Sequence, residues 1–214
     1  MIILMDQKGI TTREISDLIE KMYGHYYSAA TISNLSDSFK DELDAYRQEV
    51  IQADYVCLYC DASFIPVRRG SVSKEAVHII VGIDAKGYKK VLDSQVYYTE
   101  SALHYREMLQ DLKRCCLQQV LLFVSDELTG YTNNRSESIN KQLKRRTKTK
   151  EQFPHDYSLE KTVYCYVSEY NTRFSQRIHK VFGQVTFELE ALLEQKQSVR
   201  RSQMTLKKNE TQVS

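Results

Sequence analysis

The sequence predicts an α/β protein built on a mixed sheet, with helices before and after it. Three observations predict this. Two apolar runs, Asp54–Asp61 and Gln119–Asp126, are short, rich in β-branched and aromatic residues, and each closes on an acid, the pattern of a buried strand that delivers a carboxylate to a sheet edge. Between them, Val77–Ile83 and Lys90–Tyr98 are separated by the polar turn Asp84-Ala-Lys-Gly87, a connection short enough to impose an antiparallel meander. Residues 100–114 then place Leu103, Met108, Leu109 and Leu112 at helical positions. A right-handed crossover through that helix can set the last strand parallel to and beside the first.

The flanking elements are helical. Thr11-Thr-Arg-Glu14 has capping-box spacing, and Ile15, Leu18, Ile19 and Met22 form one apolar stripe. Gly24 supplies a stop, Ser28 a new cap, and Ala29–Leu35 a second short helix. This is the outline of a helix-turn-helix, and equally of a plain helical hairpin. Residues 134–148 read as a polar helix, 157–175 as an aromatic one and 185–197 as one rich in Leu and Glu. The expected organisation is a helical, DNA-binding part over 1–50, a catalytic core over 51–197, and a polar, disordered tail over 198–214.

Composition narrows the function. No apolar stretch approaches the length needed to span a bilayer, and Met1-Ile-Ile-Leu-Met5 lacks a basic region and cleavage site. A cytoplasmic protein without membrane contact is expected. Five cysteines without regular spacing fit a reducing compartment. The net charge of +2 conceals a division: residues 1–130 carry 14 Lys/Arg against 19 Asp/Glu, and residues 131–214 carry 16 against 9. Metal ligands are therefore expected in the first part and a polyanion against the second.

Two neighbouring strands ending in Asp61 and Asp126 would hold hard oxygen ligands close enough to share a divalent metal, the chemistry of phosphodiester cleavage and strand transfer. Glu137 opens the basic helix as a third acid; its ordinary alternative is a solvated pair with Lys141 one turn on. Lys141, Lys144, Arg145, Arg146, Lys148 and Lys150, with Asn140, form a candidate phosphate-contact surface that would be salt-sensitive and sequence-tolerant. Cys57 and Cys60 lie three apart in a strand and so face opposite sides, which favours packing over half a zinc site. The tyrosines of 157–174 read as core more readily than as a base-stacking platform.

Taken in order, these segments resemble the bacterial mutator-type insertion-sequence transposases, acid-triad recombinases with a ribonuclease-H-like core. The resemblance is carried by Gly9–Ser16 and Tyr23-Gly24, then by Tyr59-Cys-Asp61, Val81–Asp84, Gly87–Leu92 and Leu109–Leu112. It continues through Ser125–Gly130, Tyr131–Asn140 and Phe153-Pro154. It implies a partial ribonuclease-H-like sheet, Asp61, Asp126 and Glu137 as catalytic and metal-binding acids, Mg²⁺ or Mn²⁺ as cofactor, and cleavage and joining of double-stranded DNA at element ends and target. A homo-oligomer, nucleoid-associated when bound to DNA, is also implied.

Three departures accompany the resemblance. Glu127 stands where the family usually has Gly. Family members begin well upstream of Met1, so a shortened N-terminal part is expected. Asp126 and Glu137 are eleven positions apart, where the family interposes a long, mainly helical segment; Gly130 runs straight into the motif around Glu137, as after an internal deletion. The ten intervening residues can stretch roughly 33 Å, so Glu137 can still reach the other acids. The strand ending at Asp126 then becomes an exposed edge open to pairing with another chain. Two functions follow: a transposase with impaired activity, or a non-catalytic DNA-binding or oligomerising fragment that modulates an intact transposase.

Overall fold

The computed structural model describes residues 5, 10–28, 30–32, 34, 39–69, 71–125, 133–148, 153, 156–174, 176–178, 182 and 184–212. Helix α1 (Thr12–Tyr23) starts as its sequence dictates. The Thr11 hydroxyl accepts from the Glu14 amide, the Glu14 carboxylate accepts from the Thr11 amide, and Gly24 closes the helix in the left-handed region at φ 69°. The Ser28 hydroxyl caps a helical stretch over 30–32 and 34. Ile15 and Ile19 pack on Ile32 in a small cluster of their own, an arrangement that suits a hairpin and a helix-turn-helix alike. Helix α2 (Phe39–Arg47), not among the expected helices, follows; Phe39, Leu43 and Tyr46 stand at helical spacing in its sequence, a short stripe that marks it.

Four strands form one mixed sheet: β1 (Asp54–Arg69), β2 (Ser71–Ile83), β3 (Lys89–Tyr97) and β4 (Gln119–Ser125), in the order β3-β2-β1-β4. The β1–β2 and β2–β3 pairs are antiparallel and the β1–β4 pair is parallel. Helix α3 (Ala102–Arg114) makes the crossover into β4. The Asp84 turn is built as expected: its side chain accepts from the Tyr88 amide at 2.8 Å, and Gly87 takes φ 82°. This is the mixed sheet of a partial ribonuclease-H-like fold. After it come α4 (Asn133–Thr147), α5 (Asp156–Phe174) and α6 (Thr186–Gln212).

The period of two along β1 sends alternate side chains into two cores. Cys57, Tyr59, Ile65 and Val67 face Ile139 and Leu143 of α4 and Leu159, Val163, Tyr166 and Tyr170 of α5. Leu58 and Cys60 face Ile80, Leu92, and Met108 and Leu112 of α3. The sheet is thus covered on both faces, and each fully buried Leu or Ile contributes roughly 1.5–3 kcal/mol.

Its two edges differ. On β3, Asn171 of α5 clamps the Val91 backbone, accepting from its N–H at 2.8 Å and donating to its carbonyl at 3.0 Å, and the Tyr46 hydroxyl donates to the same carbonyl. On β4, the outer side has no strand partner among the described residues, and Leu122 and Phe123 are exposed.

Two expectations are corrected. Strand β1 does not end at Asp61 but continues to Arg69, paired with β2 throughout. On its other side, the last described β1–β4 pair is Cys60 with Ser125. Helix α6 runs to Gln212, through the segment expected to be a disordered tail from 198; it is rich in Glu, Gln, Lys and Arg and holds no Gly or Pro, which suits a helix.

Candidate active site on the helix-covered face of the sheet

Asp61 sits in mid-strand on β1, opposite Ile79 of β2, and is buried at 7% exposure. Its parity with Cys57 and Tyr59 places it on the face covered by α4 and α5. The chain has put a carboxylate into that core at the level where β4 stops. A buried acid needs a charged or hydrogen-bonding partner to stay ionised, and a hard-oxygen donor in this position suits Mg²⁺ or Mn²⁺.

Helix α4 is the element laid across β1 on this face. Ile139 and Leu143 anchor it in the core, the Tyr166 hydroxyl donates to the Ile139 carbonyl at 3.0 Å, and the Thr147 hydroxyl donates to the Leu143 carbonyl. Glu137 belongs to this helix, one turn before Asn140. The structure therefore brings the strand of Asp61 and the helix of Glu137 together on one face. Asp126 follows Ser125 in the chain and lies outside the described residues, as does Lys150. Among the described residues no three His, Cys, Asp or Glu side chains gather as a metal-binding group.

The basic residues of α4 divide. Lys141, Lys144, Arg145 and Lys148 are exposed, on the side where a phosphate backbone can approach the helix. Arg146 is also exposed but engaged: it pairs with Glu169 of α5, and its guanidinium lies 5.2 Å from the Tyr166 ring centre. Asn140, grouped by sequence with the DNA-facing residues, is buried at 6% exposure. Its signal was hidden because α4 offers only Ile139 and Leu143 as apolar markers of the inner face. Ser63, two positions beyond Asp61 on the same strand face, is wholly buried, and its hydroxyl has no hydrogen-bond partner among the described residues; strand parity alone could have singled it out.

The cysteines behave as packing residues. Cys57 and Cys60 lie in opposite cores, and burial pushes their thiols up to about 11 and about 12, which keeps them protonated at neutral pH. On the other face, a cavity of about 870 Å³ opens between α3 and β4, bordered by Leu58, Tyr105, Leu109, Val120 and Phe123. Asp61 is not among its lining residues.

The chain matches the model of the family described as "Transposase, Mutator family" over residues 1–133 and 130–177. It belongs to that family. Among named relatives, the transposase for insertion sequence element IS905 of Lactococcus lactis subsp. lactis (strain IL1403) is 29% identical over 289 residues, covering 91% of this chain and 74% of the relative. The transposase for IS1201 of Lactobacillus helveticus is 43% identical over 130 residues, 61% of this chain and 35% of the relative. The transposase for IS256 in transposon Tn4001 of Staphylococcus aureus is 25% identical over 124 residues, 57% of this chain and 32% of the relative. Against the latter two, the aligned part of the chain spans about a third of the relative.

The alignment with the Lactococcus transposase, 289 positions, is longer than this 214-residue chain. That relative therefore carries residues, inside the aligned span, that this chain lacks. The family match changes segment at 130–133, between β4 and the body of α4. No helix among the described residues is long and apolar enough to cross a membrane.

Proposed function

We propose that this member of the transposase family binds double-stranded DNA at insertion-sequence ends and target through α4, and cleaves and joins it with Asp61, Asp126 and Glu137 around Mg²⁺ or Mn²⁺, at a rate below that of a full-length relative. The observation that carries the proposal is the placement of Asp61: buried on the α4 face of the central strand, one position past the last described β1–β4 pair. Continued by one residue, that register would set Asp126 opposite Asp61. Paired residues of a parallel ladder share a face, and Val124, two residues before Asp126, lies in the same core as Tyr59. The register thus supports two carboxylates side by side beneath the helix that bears Glu137.

When bound, the divalent ion supplies Lewis acidity and an activated oxygen nucleophile. The chain's own contribution is positional. Strand β1 fixes Asp61 between two cores, α4 brings position 137 over the same face, and Lys141, Lys144, Arg145 and Lys148 hold phosphates along the outer side of that helix. The protein works in the bacterial cytoplasm and at the nucleoid, as a homo-oligomer that holds two DNA ends.

The test is Mn²⁺-dependent nicking or strand transfer on duplexes carrying the element's terminal repeats. Wild type should yield product and Asp61→Asn none above the metal-free background. Equal product from both, with the variant folded, would refute the assignment.

A second reading is favoured by one specific observation, the β4 edge with Leu122 and Phe123 exposed and no further strand among the described residues. On this reading the chain binds DNA or an intact transposase without cutting. It is supported if wild type binds the terminal repeats yet forms no product under conditions in which a full-length relative does, and if adding it depresses that relative's activity.

A further inference from the structure

Asn140 is in the wrong place for a DNA contact. It lies on the inner side of α4 at 6% exposure, next to Ile139 and within a turn of Leu143, the two residues that anchor the helix on β1. Its side-chain oxygen is buried and has no hydrogen-bond partner among the described residues. Leaving such an oxygen unpaired costs roughly 1–3 kcal/mol, and native proteins retain such groups where a water, an ion or a reaction uses them. A phosphate cannot serve as the missing partner: it is itself an acceptor, and the helix meets solvent on its other side.

A second unpaired oxygen comes from the strand that α4 crosses. Ser63, on β1 two residues beyond Asp61 and on the same face, is fully buried with its hydroxyl unpartnered among the described residues. The strand and the helix that carry two of the three acids thus each contribute an orphaned polar oxygen to the core they share. Hard divalent cations are bound by carboxylates together with neutral amide oxygens and water. An amide adds coordination without adding negative charge, an advantage beside the three carboxylates of the proposed site.

We propose that the Asn140 side-chain oxygen is a fourth protein ligand to the divalent ion held by Asp61 and Glu137, with Ser63 hydrogen-bonding to the ion's bound water. This rests on the acid-site reading above. It assigns Asn140 to the metal and leaves the DNA backbone to the lysines on the outer side of α4.

The probe is Mn²⁺ alone, titrated into the full chain without DNA, by isothermal calorimetry and by the paramagnetic resonance signal of free Mn²⁺. Asn140→Ala should bind Mn²⁺ roughly tenfold more weakly than wild type. Asn140→Asp, which keeps a ligand oxygen and the side-chain volume, should bind at least as tightly as wild type. Asp61→Asn should lose binding. Circular dichroism without metal establishes which variants fold; if Asn140→Ala does not, Asn140→Asp and Asn140→Leu carry the comparison. Unchanged Mn²⁺ affinity in Asn140→Ala or Asn140→Leu, with Asp61→Asn still weakened, overturns the Asn140 assignment and leaves the acid site standing. Unchanged affinity in Asp61→Asn removes the acid site, and this inference with it.

Discussion

Two buried groups on the α3 face of the sheet should oppose one another as the pH falls. His78 is completely buried among Tyr97, His104 and Tyr105, with ring centres 5.2, 5.6 and 4.7 Å away. Burial pushes its imidazole down to about 4, against an upward pull from the Ala76 backbone and with a smaller downward push from His104. Asp93 is also buried, on the neighbouring strand β3, and burial pushes its carboxyl up to about 6 despite hydrogen bonds from the Gln95 amide at 2.9 Å and the Ser94 N–H at 2.7 Å. The two are joined through Gln95, which accepts from the Tyr97 hydroxyl that borders His78.

The signs follow from linkage. An imidazole depressed in the fold binds its proton first in the unfolded chain, so its contribution is complete above about 6.5 and is lost as pH falls toward about 4; the loss is at most roughly 3 kcal/mol, and less where local opening hydrates the charged ring. A carboxyl raised in the fold binds its proton first in the folded chain, so stability is gained as pH falls from about 6 toward about 4, again by up to roughly 3 kcal/mol. In wild type the two terms offset each other. Asp93→Asn should leave the His78 loss uncovered and make the protein acid-labile relative to wild type. His78→Phe should leave the Asp93 gain uncovered and make it relatively acid-resistant. With a urea m-value of about 2 kcal/mol/M, each variant's midpoint should move about 1 M relative to wild type between pH 7 and pH 4.5, in opposite directions. Far-UV circular dichroism suits a chain with no tryptophan. Parallel pH profiles for the two variants would refute the reasoning, whatever their stability at neutral pH.

Gly82→Ala should destabilise by about 1–3 kcal/mol through overpacking, because a β-carbon there would stand 2.7 Å from both the Leu92 side chain and the Tyr55 ring. An unchanged thermal midpoint would show that the two can move apart without loss. Lys144→Ala should reduce the slope of log affinity for duplex DNA against log salt by about 0.9, measured by fluorescence anisotropy. Arg146→Ala should leave that slope nearly intact and lower stability by about 1 kcal/mol or less, since Arg146 is engaged with Glu169 and Tyr166; a full unit of slope lost with Arg146 would reverse the division of labour on α4.

The sheet was readable where one physical rule sufficed. The run from Gln119 is strand through Ser125, the last described residue before Asp126, since nothing competes with its unbroken apolar pattern, and α1 obeys the Thr11 box and Gly24. The extent of β1 was hidden by Pro66 and the Arg68-Arg69 pair, residues that rarely continue a central strand. Pro66 is tolerated because its side without an N–H faces away from β2, where no β4 pair is described; there its carbonyl accepts from the Phe153 N–H, and the Phe153 carbonyl in turn receives the Arg68 N–H. Asp61 could be chosen from sequence as the acid that terminates an apolar run, and its face then follows from parity with Cys57 and Tyr59. The inward turn of Asn140 could not, because a helix with two apolar anchors does not reveal which polar neighbours share their side.

The missing segment bears on chemistry through β4 rather than through reach. Asp61 is held by a strand paired on its β2 side and by cores on both faces, and the helix of Glu137 is anchored by Ile139, Leu143 and the Tyr166 hydroxyl. The strand that leads to Asp126 has weaker support: one parallel ladder, the Ala53 carbonyl that receives the Gln118 and Gln119 amides, and a contact from the Gln119 side chain to Leu193. Its Leu122 and Phe123 remain exposed. The opposite edge shows what full support is, with Asn171 and Tyr46 fixed on Val91. A carboxylate site tolerates about 0.5 Å of looseness, and a strand bound on one side opens with less free energy than one bound on two. On the proposed acid site, Asp61 and the helix of Glu137 keep their support while the strand leading to Asp126 loses it, so metal affinity and cleavage should decline separately rather than together.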